Sequence, residues 1–258
     1  MSHEKCLIQE LDLDMINPST EKMYDPDHGG SKIAVIGKPG TGKTTLIDSI
    51  LYSKKHIFPI AMIMSGTEDC NEHYAKRFPA SMIYNDYDEE AQKRFVSRQK
   101  VAKKYLSNPW GICIKDDCMA DPRLFNTPVI KGLYKNGRHW KTLDILSLQY
   151  AMDVPPWLRT GLDGTFILRE PLTPNREKIW RNFASIIPDF SIFCDLMDDL
   201  TGDYGAIYID NATIKNDWRE CVFHYKATPV PDDFKFGCRD YWSFHYDRYN
   251  PEYVAPMY

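Results

Sequence analysis

One stretch near the start, Gly37-Lys38-Pro39-Gly40-Thr41-Gly42-Lys43-Thr44-Thr45, narrows the folds open to this chain more than any other. It fits G-x-x-x-x-G-K-[ST], the phosphate-binding P-loop or Walker A motif. Before it runs Lys32-Ile33-Ala34-Val35-Ile36, a short apolar and β-branched run that reads as a buried strand. After it Leu46, Ile47, Ile50 and Leu51 recur at helical spacing. The motif therefore sits at a strand-to-helix turn, the context it requires. Gly37, Gly40 and Gly42 allow a tight turn whose N–H groups face inward to hold phosphate oxygens. The helix N-terminus adds its partial positive charge. Lys43 is expected to reach the β- and γ-phosphates, and the Thr44 hydroxyl to ligate Mg²⁺. The nine residues are expected to bind ATP with Mg²⁺, against the plainer reading of a glycine-rich turn that binds nothing.

A chain of 258 residues has room for one large α/β domain or two small ones, with a full core. Hydrophobic residues make up 43% and charged residues 26%, the balance of an ordinary soluble protein. A net charge of -4 argues against general coating of nucleic acid. It leaves room for a local basic stripe, or for a ring whose pore alone is basic. No apolar run approaches the roughly 20 residues of a membrane span, and Met1-Ser2-His3-Glu4-Lys5 lacks the order of a signal peptide. Cys6, Cys70, Cys113, Cys118, Cys194, Cys221 and Cys238 are scattered with no C-x-x-C pair. Neither a zinc site nor a disulfide framework is expected, and reduced thiols in a cytoplasm are.

Residues 1–30 carry Leu7, Ile8, Leu11, Leu13 and Ile16 and end in Gly29-Gly30. They read as a lead-in packed beside the nucleotide domain, the glycine pair as a turn. Ile57 to Ser65 reads as a second buried strand, and Gly66-Thr67-Glu68-Asp69 as its closing loop. That polar cluster suits an approach to the γ-phosphate or a neighbouring subunit, or plain helix capping by Thr67 or Asp69. Residues 70–77 and about 88–107 look helical. The latter carries Lys93, Arg94, Arg98, Lys100, Lys103 and Lys104, a solvated face or else a DNA contact. Trp110 to Asp117 is an apolar strand ending in two acids, the Walker B form. Asp116 would hold the Mg²⁺ hydration shell and Asp117 would orient or deprotonate the attacking water. Lys115 inside that strand requires an exposed pocket edge or a partner.

Asp121 to Asn136 reads as loop plus helix, followed by Asn136-Gly137-Arg138-His139-Trp140 and a strand from Thr142 to Gln149. Gln149, at a strand tip beside the P-loop strand, suits a γ-phosphate sensor or a holder of the lytic water; a surface amide is the other reading. In Ala151 to Arg159 the prolines bar regular structure and set Arg159 on a rigid connector. Arg138 and Arg159 are both candidates for a cation supplied to a neighbour's γ-phosphate, and structural ion pairing is the rival reading for each. A strand at Gly164–Arg169, a helix and loop over 174–200, and a hairpin of Gly205–Asp210 with Glu220–Tyr225 follow. The tail from Thr228 is rich in proline and aromatics, including Phe234, Phe236, Tyr241, Trp242, Phe244, Tyr246, Tyr249 and Tyr253. It suits docking on the core or a neighbour better than stacking on bases.

Strand with P-loop, second strand, Asp-Asp strand and Gln-ended strand come in the order of the RecA-like (ASCE) P-loop ATPases. The expected fold is α/β: a central, mainly parallel sheet flanked by helices, with a C-terminal hairpin and aromatic tail. Gly37–Thr45, Ile112–Asp117, Gly137-Arg138-His139, Leu146–Gln149, Pro155–Arg159 and the hairpin end Phe223-His224-Tyr225-Lys226 together resemble the DNA-packaging ATPases of nucleocytoplasmic large DNA viruses, in the FtsK/HerA group, with a chlorella-virus-like length. The resemblance covers about residues 30–228. It divides the chain into a lead-in (1–30), an ATPase domain (31–227) and a tail (228–258). It implies an ATP-hydrolysing motor, a homo-oligomeric ring moving double-stranded DNA without sequence preference into a preformed capsid. Partners would be a capsid vertex or other packaging proteins. The place would be the host cytoplasm at assembly sites, or the virion. In it Lys43, Thr44 and Asp116 match the nucleotide and metal positions, Asp117 the catalytic acid and Gln149 the sensor amide. Asp117 departs from the glutamate of many relatives, so the shorter acid must approach closer or act through a second water. A nucleoside or small-molecule kinase and a nucleotide-gated scaffold are the rival functions.

Overall fold

The computed structural model describes residues 8–119, 121–150, 154–250 and 252. Of the readings above, those on Leu7, Cys6, Ala151–Asp153 and Tyr253 lie outside the described residues. Nine strands are seen among them: β1 (Gln9–Glu10), β2 (Lys32–Ile36), β3 (Ile60–Ser65), β4 (Ile83–Tyr84), β5 (Gly111–Asp116), β6 (Thr142–Leu148), β7 (Gly164–Ile167), β8 (Gly205–Asp210) and β9 (Val222–Lys226). The helices are α1 (Lys43–Lys54), α2 (Glu68–Asn71), α3 (Glu89–Tyr105), α4 (Pro128–Asn136), α5 (Pro156–Arg159), α6 (Thr173–Phe183), α7 (Phe190–Leu200) and α8 (Arg239–Arg248).

The strands form one sheet in the order β1-β9-β8-β7-β2-β6-β5-β3-β4. From β7 to β4 all pairings are parallel; β8 runs antiparallel to both β7 and β9. The P-loop strand β2 is central, with β6 between it and the Asp-Asp strand β5, so the expected α/β arrangement is the one seen. Helices cover both faces, and the strands show why. Ile33 and Val35 of β2, Ile112 and Ile114 of β5, and Ile145 of β6 pack into one core with α1. The alternate residues Ala34, Ile36, Cys113, Leu146 and Leu148 pack into the other, among residues of α3 to α7. A buried parallel sheet needs apolar side chains on both faces, which is why these strands read as continuous apolar runs.

Several details differ from the sequence reading. β3 begins at Ile60 rather than Ile57, because Pro59 has no N–H for the ladder. The prolines near Arg159 do not bar a helix: Pro155 sits at the N-cap and Pro156 opens α5, the one place in a helix where proline costs nothing. Residues 174–200 form two helices, and part of the tail forms α8. Gly30 is more than a turn, since its N–H donates to the Arg138 carbonyl and a Cβ there would meet the Thr142 carbonyl oxygen at 1.9 Å. Lys115 has its partner: it is buried against Asp144 across the β5–β6 pair. Burial works against that cation, but Asp144, with the nearby Cys113 and Cys118, raises the Lys115 pKa on balance. On α3, Lys93, Arg94, Lys100, Lys103 and Lys104 face solvent while Gln92 and Gln99 are buried. Among the described residues no helix is long and apolar enough to cross a membrane.

Both ends of the described chain are woven into the sheet's core. The lead-in adds β1 beside β9, and Lys54 of α1 donates to the Ile16 and Pro18 carbonyls at 2.8 Å each. In the tail, Phe236 is fully buried and packs on Phe58 and Phe78. Tyr241 of α8 donates to the Ala61 carbonyl at 2.9 Å. Phe236→Ala is expected to cost about 3–5 kcal/mol of stability in chemical denaturation, the range for emptying an aromatic core site. Burial pulls Lys54 down to a pKa of about 8, with Asp14 opposing. The folded state thus binds this proton more weakly than the unfolded chain. The stability penalty is full below pH about 8 and is relieved as pH rises toward the ordinary lysine value. Lys54→Met is expected to abolish that rise, read as the difference between variant and wild-type denaturation midpoints at about pH 7 and 9.5.

Candidate functional site

The site forms at the edge where β2, β6 and β5 end together. Ile36 of β2 pairs with Leu148 of β6, and Ser147 of β6 with Asp116 of β5. The next residue of each strand then continues the contact: Gly37 N–H donates to the Leu148 carbonyl at 3.1 Å and Asp117 N–H to the Ser147 carbonyl at 3.3 Å. The P-loop turns tightly from there into α1. Gly40 (φ +77°) and Gly42 (φ +99°) are left-handed, where a side chain would be strained, and a Cβ on Gly37 would meet Thr41 Oγ1 at 2.5 Å. Thr41 closes the loop by donating to the Lys38 carbonyl at 2.7 Å. Pro39 and Gly40 are exposed at the tip, while Thr44 and Thr45 are half-buried in the first turn of α1.

Lys43 is buried, donates to the Gly37 carbonyl at 2.9 Å and lies 3.3 Å from Asp117 Oδ2. The same Asp117 oxygen accepts a hydrogen bond from Gln149 Nε2 at 2.9 Å. Two residues, one from the P-loop and one just after β6, thus converge on the carboxylate that follows β5. Asp117 adopts φ +50°, unusual for a non-glycine residue and held by its N–H bond to β6. Its Oδ1 is buried with no hydrogen-bond partner among the described residues. A buried acceptor oxygen without a donor, close to a lysine and the P-loop turn, suits a water molecule as its missing donor. The sequence reading did not foresee the role of Lys38, which pairs with Glu170 just after β7 at 2.8 Å.

Asp116 shows a partner that was not legible in advance. Tyr74, in a short turn after β3, donates its hydroxyl to Asp116 Oδ2 at 2.9 Å, and both are buried. Burial raises the Asp116 carboxyl above the ordinary range, Asp117 adds to this, and the Ser147 and Tyr74 hydroxyls and Lys43 oppose it. Burial and the nearby acid raise the Tyr74 phenol, which stays a donor. Tyr74 is placed by Glu68, whose carboxylate accepts from the Tyr74 and Ala75 N–H groups at 3.1 and 2.8 Å. Glu68 therefore organises the loop from within; Thr67 stands at the N-cap of α2 without a side-chain capping bond. The same loop reaches α1, where His73 and Arg77 meet Asp48 at 3.1 and 3.4 Å. Thr44 and Asp116 are the oxygen donors that could hold Mg²⁺, and Tyr74 already orients Asp116 from behind.

The two arginines lie elsewhere. Arg138 precedes β6, at the sheet edge opposite the P-loop, and is exposed along Gly29. Arg159 is half-buried, donates to Asn182 Oδ1 at 2.6 Å and lies over the Phe183 ring. Neither touches the nucleotide residues of its own chain.

No protein-family model matches the chain. It is 49% identical over 237 residues to the uncharacterized protein 088R of Invertebrate iridescent virus 3, covering 91% of each chain. Identity is 47% over 249 residues to protein 075L of Invertebrate iridescent virus 6 (95% and 96% covered) and 38% over 244 residues to protein 015R of Frog virus 3 (93% and 75%). Among solved structures, the genome packaging NTPase B204 of Sulfolobus turreted icosahedral virus 2, in complex with AMPPCP, superposes with a TM-score of 0.57 at 16% identity, over 80% of this chain and all of that one. The pCW3 conjugation coupling protein TcpA with ATPgS gives 0.54 at 15% identity, over 79% and 61%. These likenesses establish the P-loop ATPase fold. Tyr74→Phe, which strips a donor from a buried carboxylate, is expected to weaken Mg²⁺-dependent nucleotide binding severalfold while the protein stays folded. Titrations with and without Mg²⁺ read the effect.

Proposed function

We propose that this chain, which belongs to the family of the iridescent-virus proteins 088R and 075L and Frog virus 3 protein 015R, is an ATP-hydrolysing motor that moves double-stranded viral DNA into a preformed capsid. The observation that carries the hydrolase part is the meeting of Lys43 and Gln149 on Asp117, whose second oxygen is buried and free to take a water. The motor part is supported by the resemblance of the ordered motifs. It is also supported by the shared fold with a genome packaging NTPase and a conjugation coupling protein.

In this reading Gly37 to Thr45 hold the phosphates through backbone N–H groups, and Lys43 turns from Gly37 and Asp117 toward the β- and γ-oxygens. Thr44 and Asp116 would hold Mg²⁺, which neutralises charge on the triphosphate. Asp117 orients and deprotonates water for in-line attack, and Gln149 keeps that carboxylate in place or reports the γ-phosphate. An arginine from the adjacent subunit of a ring completes the charge stabilisation. Arg138 suits that role better than Arg159, being exposed rather than held by Asn182. We assign residues 31–227 to the ATPase domain, with 1–30 as lead-in and 228–258 as tail. DNA would be gripped by its phosphate backbone, since a packaging motor must be blind to sequence.

The test is ATP hydrolysis against protein concentration, with and without double-stranded DNA. Turnover is expected to rise with both, and Lys43→Ala to lose it by roughly a hundredfold or more. Flat, DNA-indifferent turnover would refute the motor. Phosphate transfer to added nucleosides would favour the kinase, and absence of any turnover in the assembled form the scaffold.

A further inference from the structure

The triphosphate end of the site faces β6 and β5, where Asp116, Asp117 and Gln149 lie. We take the rest of a nucleotide to leave the P-loop on the other side of β2, where β7 and β8 lie. Tyr204 stands at that exit, in the turn between α7 and β8. Its ring lies against the last P-loop glycine: a Cβ on Gly42 would meet Tyr204 Cδ1 at 2.9 Å. Yet the residue is 48% exposed, so the ring covers Gly42 with one part and shows much of its surface to solvent.

The backbone is costly to hold there. Asp203 (φ +47°) and Tyr204 (φ +62°) are consecutive left-handed residues, closed by a Gly205 N–H to Gly202 carbonyl bond of 2.8 Å. This is the type I′ pattern, whose second central position belongs by preference to glycine. A bulky aromatic in its place must be held from outside. Lys226 of β9 pairs with Asp203 at 2.5 Å, and Ala227 N–H donates to the Tyr204 carbonyl at 3.0 Å. Strain of this kind, maintained by neighbours beside a binding loop, marks a functional position.

We propose that Tyr204 is the base-stacking residue of the nucleotide site, its exposed ring receiving the purine of a nucleoside triphosphate whose phosphates lie on the P-loop. The inference rests on the nucleotide-site reading and adds the base subsite to it. Stacking on a ring face carries little information about the base, so adenine and guanine nucleotides are both accepted and inorganic triphosphate lacks the contact.

Titration calorimetry with Mg²⁺ and either ATP or inorganic triphosphate tests this on wild type, Tyr204→Ala and Tyr204→Phe. The expected result is roughly tenfold or greater loss of ATP affinity in Tyr204→Ala, with triphosphate affinity unchanged and Tyr204→Phe like wild type. Unchanged ATP binding in Tyr204→Ala overturns the proposal. So does equal weakening of ATP and triphosphate, which would make Tyr204 a mere prop for Gly42, or a Tyr204→Phe variant as weak as Tyr204→Ala. Wild type that binds neither compound would instead overturn the nucleotide-site reading underneath.

Discussion

In-register parallel pairing of β2 and β5 on either side of β6 is the constraint on which the site depends. Because the three strands end level, Gly37, Asp117 and Gln149 come together with no long loop to carry them. A slip of one residue in β5 would send Asp116 to the other face of the sheet. The ladder is reinforced inside by Lys115 and Asp144, a buried pair in which each charge would be unpaired if the register shifted. Such a pair adds little net stability against apolar residues of the same size, but it penalises misalignment heavily. A lysine in a core strand, odd by composition, makes sense as a register pin.

Much of this was legible in the residues because it follows from local pattern. The P-loop, the apolar strand ending in Asp116-Asp117 and the strand before Gln149 each announce themselves by spacing and residue type, and their order implies the sheet. What stayed hidden needs contacts between distant segments. Tyr74 reads as one aromatic in the helix expected over 70–77, until β3 and β5 are paired and its hydroxyl meets Asp116. Glu68 reads as one member of the polar loop closing β3, whereas its carboxylate accepts from N–H groups of the following turn. Tyr204 depends on a left-handed backbone that no propensity would assign to tyrosine. The two-residue strands β1 and β4 are too short to carry a period, and α8 was masked by a run of aromatics that favours strands as much as helices.

The molecule has two unlike edges. At one lie the P-loop, the paired acids and Tyr204. At the other lie Arg138, the segment entering β7, and the β8–β9 connection, where Ile214 is almost fully exposed beside Lys215. Arg138 is thus on the far side of its own chain from the P-loop, and its exposed position suits the role in trans proposed above.

The long reach of the pairings in this sheet bears on how the protein is made. β1 pairs with β9, so the first strand waits for nearly the whole chain before it has a neighbour. The central strand β2 likewise waits for β6 and β7. Phe236 and α8 close the core around β3 only after all nine described strands have been made. A topology dominated by such distant pairings folds slowly and leaves apolar strand edges open meanwhile. Folding is therefore gated by the arrival of β6 to β9: a nascent chain stopped short of them has the phosphate loop but not the frame that aligns it.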